Sequence, residues 1–504
     1  ITGVPGVAFA TSGPGATNLL TAIGSCYFDS TPAVFITGQV PTAELKSVRG
    51  VRQLGFQETD IASMARPVTK AAWAVTSPRE VPGVLFSAFY RALDGRPGPV
   101  LIDIPLDVSR ATLDDAPHIR RVTPAQSMFT WGREQTASGL LHDLFDGAKR
   151  PLVLIGGGCA SPRVRPVVRQ FLHGLDVPVV TSLMALDVPV KSVGFIGSYG
   201  NRWANWALQN CDALLVLGSR LDVRQTGADV GAFLSGKKIL RVDVDEAELV
   251  DGRLPARAAQ NVCCTVPAFI AASAGHVYDT GPVEWREQIA ERRERWWHEL
   301  AVPANTIHPN SFIRALGLFN SASDIFVLDV GAHQMWAAQS LRADTAFRVI
   351  TSGGMGSMGW ALPAAVGAAF AAPKQTIVVI TGDGGLQVNI QELQTIAEHG
   401  LPIKIVVLNN GGHAMVRQFQ DQYFEHRHTA TRPRAPLFRE IALAYGLADY
   451  GVAATPAHVW SGLGKMWRIP QEAGLLEVLI DPGVGIAPKM AFGKRLDEMD
   501  PPRE

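Results

Sequence analysis

Three times along its length the chain alternates short runs of Val, Ile and Leu with segments long enough for a helix, and this alternation restricts the fold more than any other feature. Strands buried on both faces read as continuous apolar runs, and helix-length stretches between them supply the crossovers of parallel sheets. The expected class is therefore α/β, with three doubly wound parallel-sheet domains. In the first block, strands are expected at 7–10, 33–37 and 100–104 with a helix over 82–93, and the polar stretch 114–135 reads as a linker. The second opens with Pro151-Leu-Val-Leu-Ile and Gly156-Gly157-Gly158, continues through Val177-Pro-Val-Val, 213–217 and 239–244, and ends near a charged helix at 285–300. The third runs from about Thr306 through 325–330, 376–380 and 403–408. Domain bounds of 1–120, 136–285 and 305–504 follow, in keeping with about 100 to 200 residues per domain.

Composition excludes several functions. Lys plus Arg and Asp plus Glu both number 46, so no basic face for nucleic acid is implied. Cys26, Cys159, Cys211, Cys263 and Cys264 lack C-x-x-C spacing, and a chain of 504 residues needs no staples, so reduced thiols and a cytoplasmic location are expected. Apolar stretches are strand-length and broken by Gly or Pro, so no membrane span is expected. Ile1 stands first in place of Met, and residues 7–10 already read as a buried strand. Further sequence upstream is expected, and with it any targeting segment.

The chemistry is carried by one segment. Residues 376–380 read as a strand, Thr381-Gly382-Asp383-Gly384-Gly385 as a turn, and Ile390, Leu393, Ile396 and Ala397 share a helical face that ends at Gly400. A second strand at 403–408 delivers Asn409-Asn410. A parallel β-α-β unit brings both C-terminal strand ends to the edge where ligands of open α/β sheets bind. Asp383 and an Asn carbonyl would then lie side by side as hard oxygen ligands for Mg²⁺, with glycines that let a diphosphate approach the backbone. The bland alternative is an ordinary βαβ turn with solvated Asp and Asn.

The whole chain resembles the thiamine-diphosphate-dependent enzymes, and specifically the acetolactate synthase large subunits. The resemblance rests on Ala10-Thr-Ser-Gly-Pro-Gly-Ala-Thr-Asn-Leu, Ile36-Thr-Gly-Gln-Val-Pro, Phe56-Gln-Glu, Gly95-Arg-Pro-Gly-Pro-Val-Leu-Ile-Asp-Ile-Pro, His333-Gln-Met-Trp-Ala-Ala, Gly353-Gly-Met-Gly-Ser-Met-Gly, the Gly382-Asp383-Gly384 and Asn409-Asn410 pair just described, and Met415-Val-Arg-Gln. It implies pyrimidine-binding, central and diphosphate-binding domains, with thiamine diphosphate and Mg²⁺ as cofactors. Asp383 and Asn410 would bind Mg²⁺ through their side chains and Gly412 through its carbonyl. Gly331, His333, Gly384 and Gly385 would line the diphosphate, and Gln334, Gly382 and Met415 would complete that set. Gly356 would offer backbone to the aminopyrimidine, and Met358 would be the apolar wedge that bends the cofactor. A lone Met would read as core filling. Phe56, Gln57, Arg224, Met358 and Met415 would serve substrate and chemistry, with Arg224 holding the carboxylate of the second keto acid. The family's glutamate that protonates the pyrimidine ring is expected upstream of Ile1.

The resemblance also implies FAD, mainly structural, on Gly156, Gly157, Gly158, Arg220, Arg224, Thr226, Gly227 and Asp243 together with Arg96. Three glycines after a strand would alone read as a tight turn. Departures from the family pattern cluster around the substrate: Leu106 stands for Lys, Phe419 for Trp, Val223 for Asp and Ala332 for Gln. The implied activity is decarboxylation of pyruvate and transfer of the hydroxyethyl unit to a second 2-keto acid, in a homodimer or homotetramer with a possible small regulatory subunit. A related decarboxylase, a carboligase with another acceptor, and an inactive binding homologue are the alternatives.

Overall fold

The computed structural model describes residues 1–46, 49–113, 136–188, 191–274, 281–297, 303–319, 324–341, 347–491 and 493–503. The expected linker at 114–135 lies outside the described residues, as does the end of the charged helix at 298–300. Two compact units result. One is Gly3–Phe129 with Ser352–Ser357, and the other is Ile1–Thr2 with Thr130–Thr351 and Met358–Glu504.

The smaller unit holds a parallel sheet of β1 (Gly6–Ala10), β2 (Ala33–Gln39), β3 (Ala71–Ala74) and β4 (Pro99–Pro105), in the order β1-β2-β4-β3. The interior pair takes the apolar runs: Val34, Val100, Leu101 and Ile102 are buried. Helix Val81–Leu93, with Pro82 in its first turn, where a missing N–H costs nothing, buries Ala88 and Ala92. Strand β3, Ala71-Ala-Trp-Ala, lacks the branched apolar run that marks β2 and β4. Asp103 of β4 accepts from Thr37 Oγ1 at 2.6 Å and Gln39 Nε2 at 3.0 Å of β2, and burial raises its carboxyl pKa.

The larger unit contains two six-stranded sheets. The first comprises β5 (Pro151–Ile155), β6 (Val179–Thr181), β7 (Gly194–Phe195), β8 (Ala213–Leu217), β9 (Lys238–Asp243) and β10 (Gln260–Cys263), in the order β10-β9-β8-β5-β6-β7. Strand β6 starts two residues later than expected, after Pro178, whose ring nitrogen has no hydrogen for a ladder. The second comprises β11 (Ile325–Leu328), β12 (Arg348–Thr351), β13 (Ile377–Gly382), β14 (Ile403–Asn409), β15 (Ala448–Ala453) and β16 (Gly474–Leu479), in the order β12-β11-β13-β14-β16-β15. Every pairing in these sheets is parallel. In each sheet the first strand is interior and the chain leaves it in both directions. Strand order therefore reverses between β5 and β8, and again between β11 and β13. No helix among the described residues is long and apolar enough to cross a membrane, and all five cysteines are free.

Within this unit the buried Asp187 joins the two sheets. Its Oδ2 meets Arg165 Nη2 at 2.9 Å, Arg348 Nε at 3.3 Å and the Val349 amide of β12 at 2.8 Å. Gln339 reinforces the junction, donating to Tyr199 O at 2.9 Å while its own carbonyl accepts from Asn201 Nδ2 at 3.1 Å.

Lys404 is the one charged residue in the apolar run of β14 and is 0% exposed. Its Nζ donates to Glu472 O at 2.9 Å, Ile469 O at 3.1 Å and Tyr450 Oη at 3.3 Å, beyond the end of helix Pro456–Arg468. Desolvation lowers its pKa from 10.5 to about 8. The unfolded chain therefore holds more protons at this site than the folded one above pH 8, and stability rises with pH there. Burial of Tyr450 raises its pKa and reverses the trend once unfolded tyrosines ionise. Urea titrations of the protein and of Lys404→Met between pH 8 and 10 should show this rise in the protein and a flatter profile in the variant. The variant should also be weaker by about 1–3 kcal/mol at pH 7 for its orphaned carbonyls.

Candidate functional site

The strand-order reversal between β11 and β13 singles out their C-terminal ends, the place where doubly wound sheets bind ligands. Strand β11 leads through Asp329 to Gly331 (φ +154°) and helix Ala332–Ser340, all nine residues of which are buried. On the neighbouring strand, the structure corrects the turn expected at 381–385. Thr381 and Gly382 continue β13, and Asp383 opens helix Asp383–Val388 directly because extended Gly382 serves as its N-cap. The following helix is Glu392–Glu398, which leaves Ile390 ahead of it.

His333 fills the space between Gly331 and Gly382. A Cβ on Gly331 would lie 2.7 Å from its Cε1, and one on Gly382 3.0 Å from its Nδ1. Burial lowers the imidazole pKa, with Asp329 opposing, and Nε2 is buried without a hydrogen-bond partner among the described residues. Gly385 has a different reason to be glycine, since a Cβ there would lie 2.3 Å from Asp329 Oδ2. That carboxylate accepts from Thr381 Oγ1 at 2.8 Å, the Gly359 amide at 3.2 Å and the Val330 amide at 2.9 Å, and so ties β11, β13 and the start of the next loop. Gly384 faces His413 and Met358, whose Cε would lie 3.4 Å from an added Cβ.

Strand β14 pairs with β13 in a register that sets Leu408 opposite Gly382, so Asp383 and Asn409-Asn410 emerge from adjacent strand ends. The two asparagines differ. Asn409 is committed to structure, its Nδ2 donating to Glu477 Oε1 at 2.7 Å and its Oδ1 accepting from the Gly411 amide at 3.1 Å. Asn410 is 5% exposed and its Oδ1 has no partner among the described residues; Asp383 is 2% exposed and its Oδ2 has none either. Desolvation raises the Asp383 pKa, with the Gly384 amide opposing. Two buried oxygens without donors are costly to a folded chain unless a cation supplies the missing charge, and their hardness suits Mg²⁺. Gly412 (φ +134°) turns the chain immediately afterwards, and a Cβ there would sit 2.1 Å from Thr431 O, which accepts from the His413 amide at 2.9 Å.

The remaining expected residues have the following surroundings. Gln334 donates to Thr351 Oγ1 at 2.7 Å and is buried in the fold. Met358 is partly exposed, and Met415 packs against the apolar core. At the end of β5, the amides of Gly156 and Gly158 donate to Leu217 and Gly218, and a Cβ on Gly156 would lie 2.1 Å from Gly218 O. Gly156 and Gly158 are therefore dictated by the approach of the β8 loop, whereas a Cβ on Gly157 would lie 3.1 Å from Met184 Cβ. Arg220 pairs with Asp222 at 3.4 Å, Arg224 is exposed on helix Val223–Thr226, and Asp243 at the end of β9 accepts from the Asp245 amide at 3.0 Å. In the smaller unit, Phe56 is 84% exposed, Gln57 takes a left-handed φ of +67°, Arg96 Nε donates to Ser30 Oγ at 2.9 Å, and the Gly356 amide donates to Ser352 Oγ at 3.2 Å.

Sequence reasoning passed over Asp329, Thr381, His413 and Thr431. Asp329 carried a usable signal, an acidic residue at a strand end two positions before a glycine. Thr431 carried none. Gly412→Ala should weaken Mg²⁺ binding at least about tenfold, because the Thr431 carbonyl has to move. Gly400→Ala, also at positive φ but facing open space, should cost about 1 kcal/mol of stability and leave Mg²⁺ affinity unchanged. Calorimetric titration of both variants with Mg²⁺ measures the contrast.

Three family descriptions match in order along the chain: thiamine pyrophosphate enzyme, N-terminal TPP binding domain at residues 1–64, central domain at 141–271, and C-terminal TPP binding domain at 329–468. The acetolactate synthase large subunit of Parasynechococcus marenigrum (strain WH8102) is 36% identical over 466 residues, 90% of this chain and 73% of the relative. That of Corynebacterium glutamicum is 36% identical over 517 aligned residues, 98% of this chain and 79% of the relative. The acetolactate synthase isozyme 2 large subunit of Escherichia coli (strain K12) is 35% identical over 453 residues, 88% and 79% respectively.

Proposed function

Because the chain belongs to the thiamine pyrophosphate enzyme family, alongside the acetolactate synthase large subunits, we propose that it is a carboligase that decarboxylates pyruvate and joins the two-carbon unit to a second 2-keto acid. The observation that carries the reading is the pair of donorless buried oxygens, Asp383 Oδ2 and Asn410 Oδ1, at adjacent strand ends. In this reading they would hold Mg²⁺ together with the Gly412 carbonyl, and a cation held there would supply positive charge for the diphosphate of thiamine diphosphate. The domains proposed are pyrimidine-binding at 1–120, central at 136–285 and diphosphate-binding at 305–504.

When bound, the cofactor supplies a nucleophilic thiazolium carbon and a sink for the electrons left by decarboxylation. The chain's own residues position and shield that chemistry. His333, whose imidazole pKa burial lowers, would offer its unpartnered Nε2 to the diphosphate beside Gly331, Gly382 and Gly384. Gly385 would line the diphosphate with them, and its missing Cβ makes room for Asp329 to brace the strand ends. Met358 would offer an apolar thioether next to Gly384. The roles proposed for the others are backbone to the aminopyrimidine for Gly356 and substrate contact for Phe56, Gln57 and Met415. Arg224, exposed and without an acid partner among the described residues, would be the guanidinium for the carboxylate of the second keto acid. FAD, if carried, would lie at the β5–β8 strand-order reversal against Gly157, Arg220 and Asp243, as a structural group. A homodimer or homotetramer and a small regulatory subunit belong to the same proposal.

One observation favours a different acceptor as the second reading. Phe419, which stands for Trp in the family pattern this sequence resembles, lies with Tyr423 at 4.8 Å and Phe424 at 5.8 Å between ring centroids at the end of helix Ala414–Tyr423. Resizing that wall changes which acceptor fits.

The test supplies pyruvate, thiamine diphosphate and Mg²⁺ and follows carbon dioxide and acetolactate together. Acetolactate formed in step with pyruvate loss is expected. Carbon dioxide without acetolactate would replace the carboligase reading with the second one, and no turnover by cofactor-loaded protein would overturn both. Arg224→Ala should raise the KM for the second keto acid by about tenfold or more, as loss of a charge-assisted contact worth about 1.5–3 kcal/mol requires, while carbon dioxide release persists.

A further inference from the structure

Away from the cofactor edge, one group of side chains brings three metal-ligating atoms together. Asp421 lies near the end of helix Ala414–Tyr423, and the chain after that helix turns back on it. Asp421 Oδ1 is met by His426 Nδ1 at 2.8 Å and by His428 Nε2 at 2.5 Å, and the three ligand atoms all lie within 4.8 Å of one another. Two non-glycine residues, Glu425 and His426, adopt left-handed φ values of +52° and +59° to make the return. Such conformations persist only where surrounding contacts hold them, and here those contacts are the ones that deliver His426 to Asp421. Arg427, between the two histidines, points its Nε at Phe424 O at 3.1 Å and leaves the cluster free of a competing cation from that side chain.

Donor chemistry distinguishes this group from the oxygens of Asp383 and Asn410. Two imidazole nitrogens and one carboxylate oxygen suit borderline divalent ions such as Zn²⁺ or Ni²⁺, whereas Mg²⁺ prefers an all-oxygen set. One carboxylate oxygen now serves two imidazoles. A dication between them would replace both hydrogen bonds, each ring turning a lone pair inward and carrying its proton on the outer nitrogen.

The location gives such an ion a consequence. The same loop continues to Thr429, which is tied to Gln420 by its amide at 3.0 Å and its carbonyl at 3.3 Å. It then reaches Thr431, whose carbonyl accepts from the His413 amide and closes on Gly412. We propose that Asp421, His426 and His428 form a site for a Zn²⁺-class dication that fastens the 424–431 loop to helix Ala414–Tyr423 and so steadies the Gly412 turn.

Equilibrium dialysis of the full chain against micromolar Zn²⁺, with thiamine diphosphate and excess Mg²⁺ present, tests the site. One Zn²⁺ per chain is expected, lost in His428→Ala and in Asp421→Asn. All three side chains reach the surface, so both variants should melt with the protein when no Zn²⁺ is present. Tryptic cleavage after Arg427 reads the fastening. Zn²⁺ at ten times its dissociation constant should slow it roughly tenfold in the protein, by mass action, and leave it unchanged in His428→Ala. Zn²⁺ bound equally by the protein and both variants, or not bound by the folded protein, would overturn the site. Zn²⁺ bound without slower cleavage would overturn the fastening.

Discussion

A parallel sheet buried on both faces has only its ends to give to a ligand, and this constraint governs the larger unit. Strands β13 and β14 are apolar and inaccessible along almost their whole length, so polar groups that must meet a cofactor can stand only where the strands stop. Asp383 and Asn410 stand there, with Gly331 and His333 at the end of the adjoining β11. The reversal of strand order between β11 and β13 keeps this edge from being closed by a crossover helix.

Around that edge, polar groups divide into those engaged with protein partners and those without a partner among the described residues. Asp329, Gln334 and Asn409 are fully engaged with protein partners. His333 Nε2, Asp383 Oδ2 and Asn410 Oδ1 are not. Within one Asn-Asn pair, two chemically identical side chains take opposite roles, because Glu477 on β16 lies beside the first and not the second. An inactive binding homologue would have no need to keep such donorless oxygens buried.

Much of this was legible in the residues. Apolar runs at 151–155 and 213–217 became β5 and β8 without displacement, since runs of Val, Ile and Leu of that length have few ways to be buried. The strands passed over, such as Ala71–Ala74 and Ala448–Ala453, are rich in alanine or interrupted by glycine, and neighbouring strands rather than their own composition hold them in place. The turn expected at 381–385 became a strand end and a helix start, because an extended glycine followed by aspartate begins a helix with no residue between.

The sequence by itself determined the class of fold, the family, and the residue types that stand where β13 and β14 end, because apolar periodicity and side-chain chemistry are local properties. Tertiary structure alone decided why particular glycines are needed. Gly385 makes room for Asp329, Gly156 for Gly218 and Gly412 for Thr431, three contacts between segments remote in the chain. It also decided which asparagine was left without a donor, and it gathered Asp421, His426 and His428 around one point. Such outcomes depend on which backbones approach within van der Waals distance, and that is set by the packing of whole elements rather than by any one segment's composition.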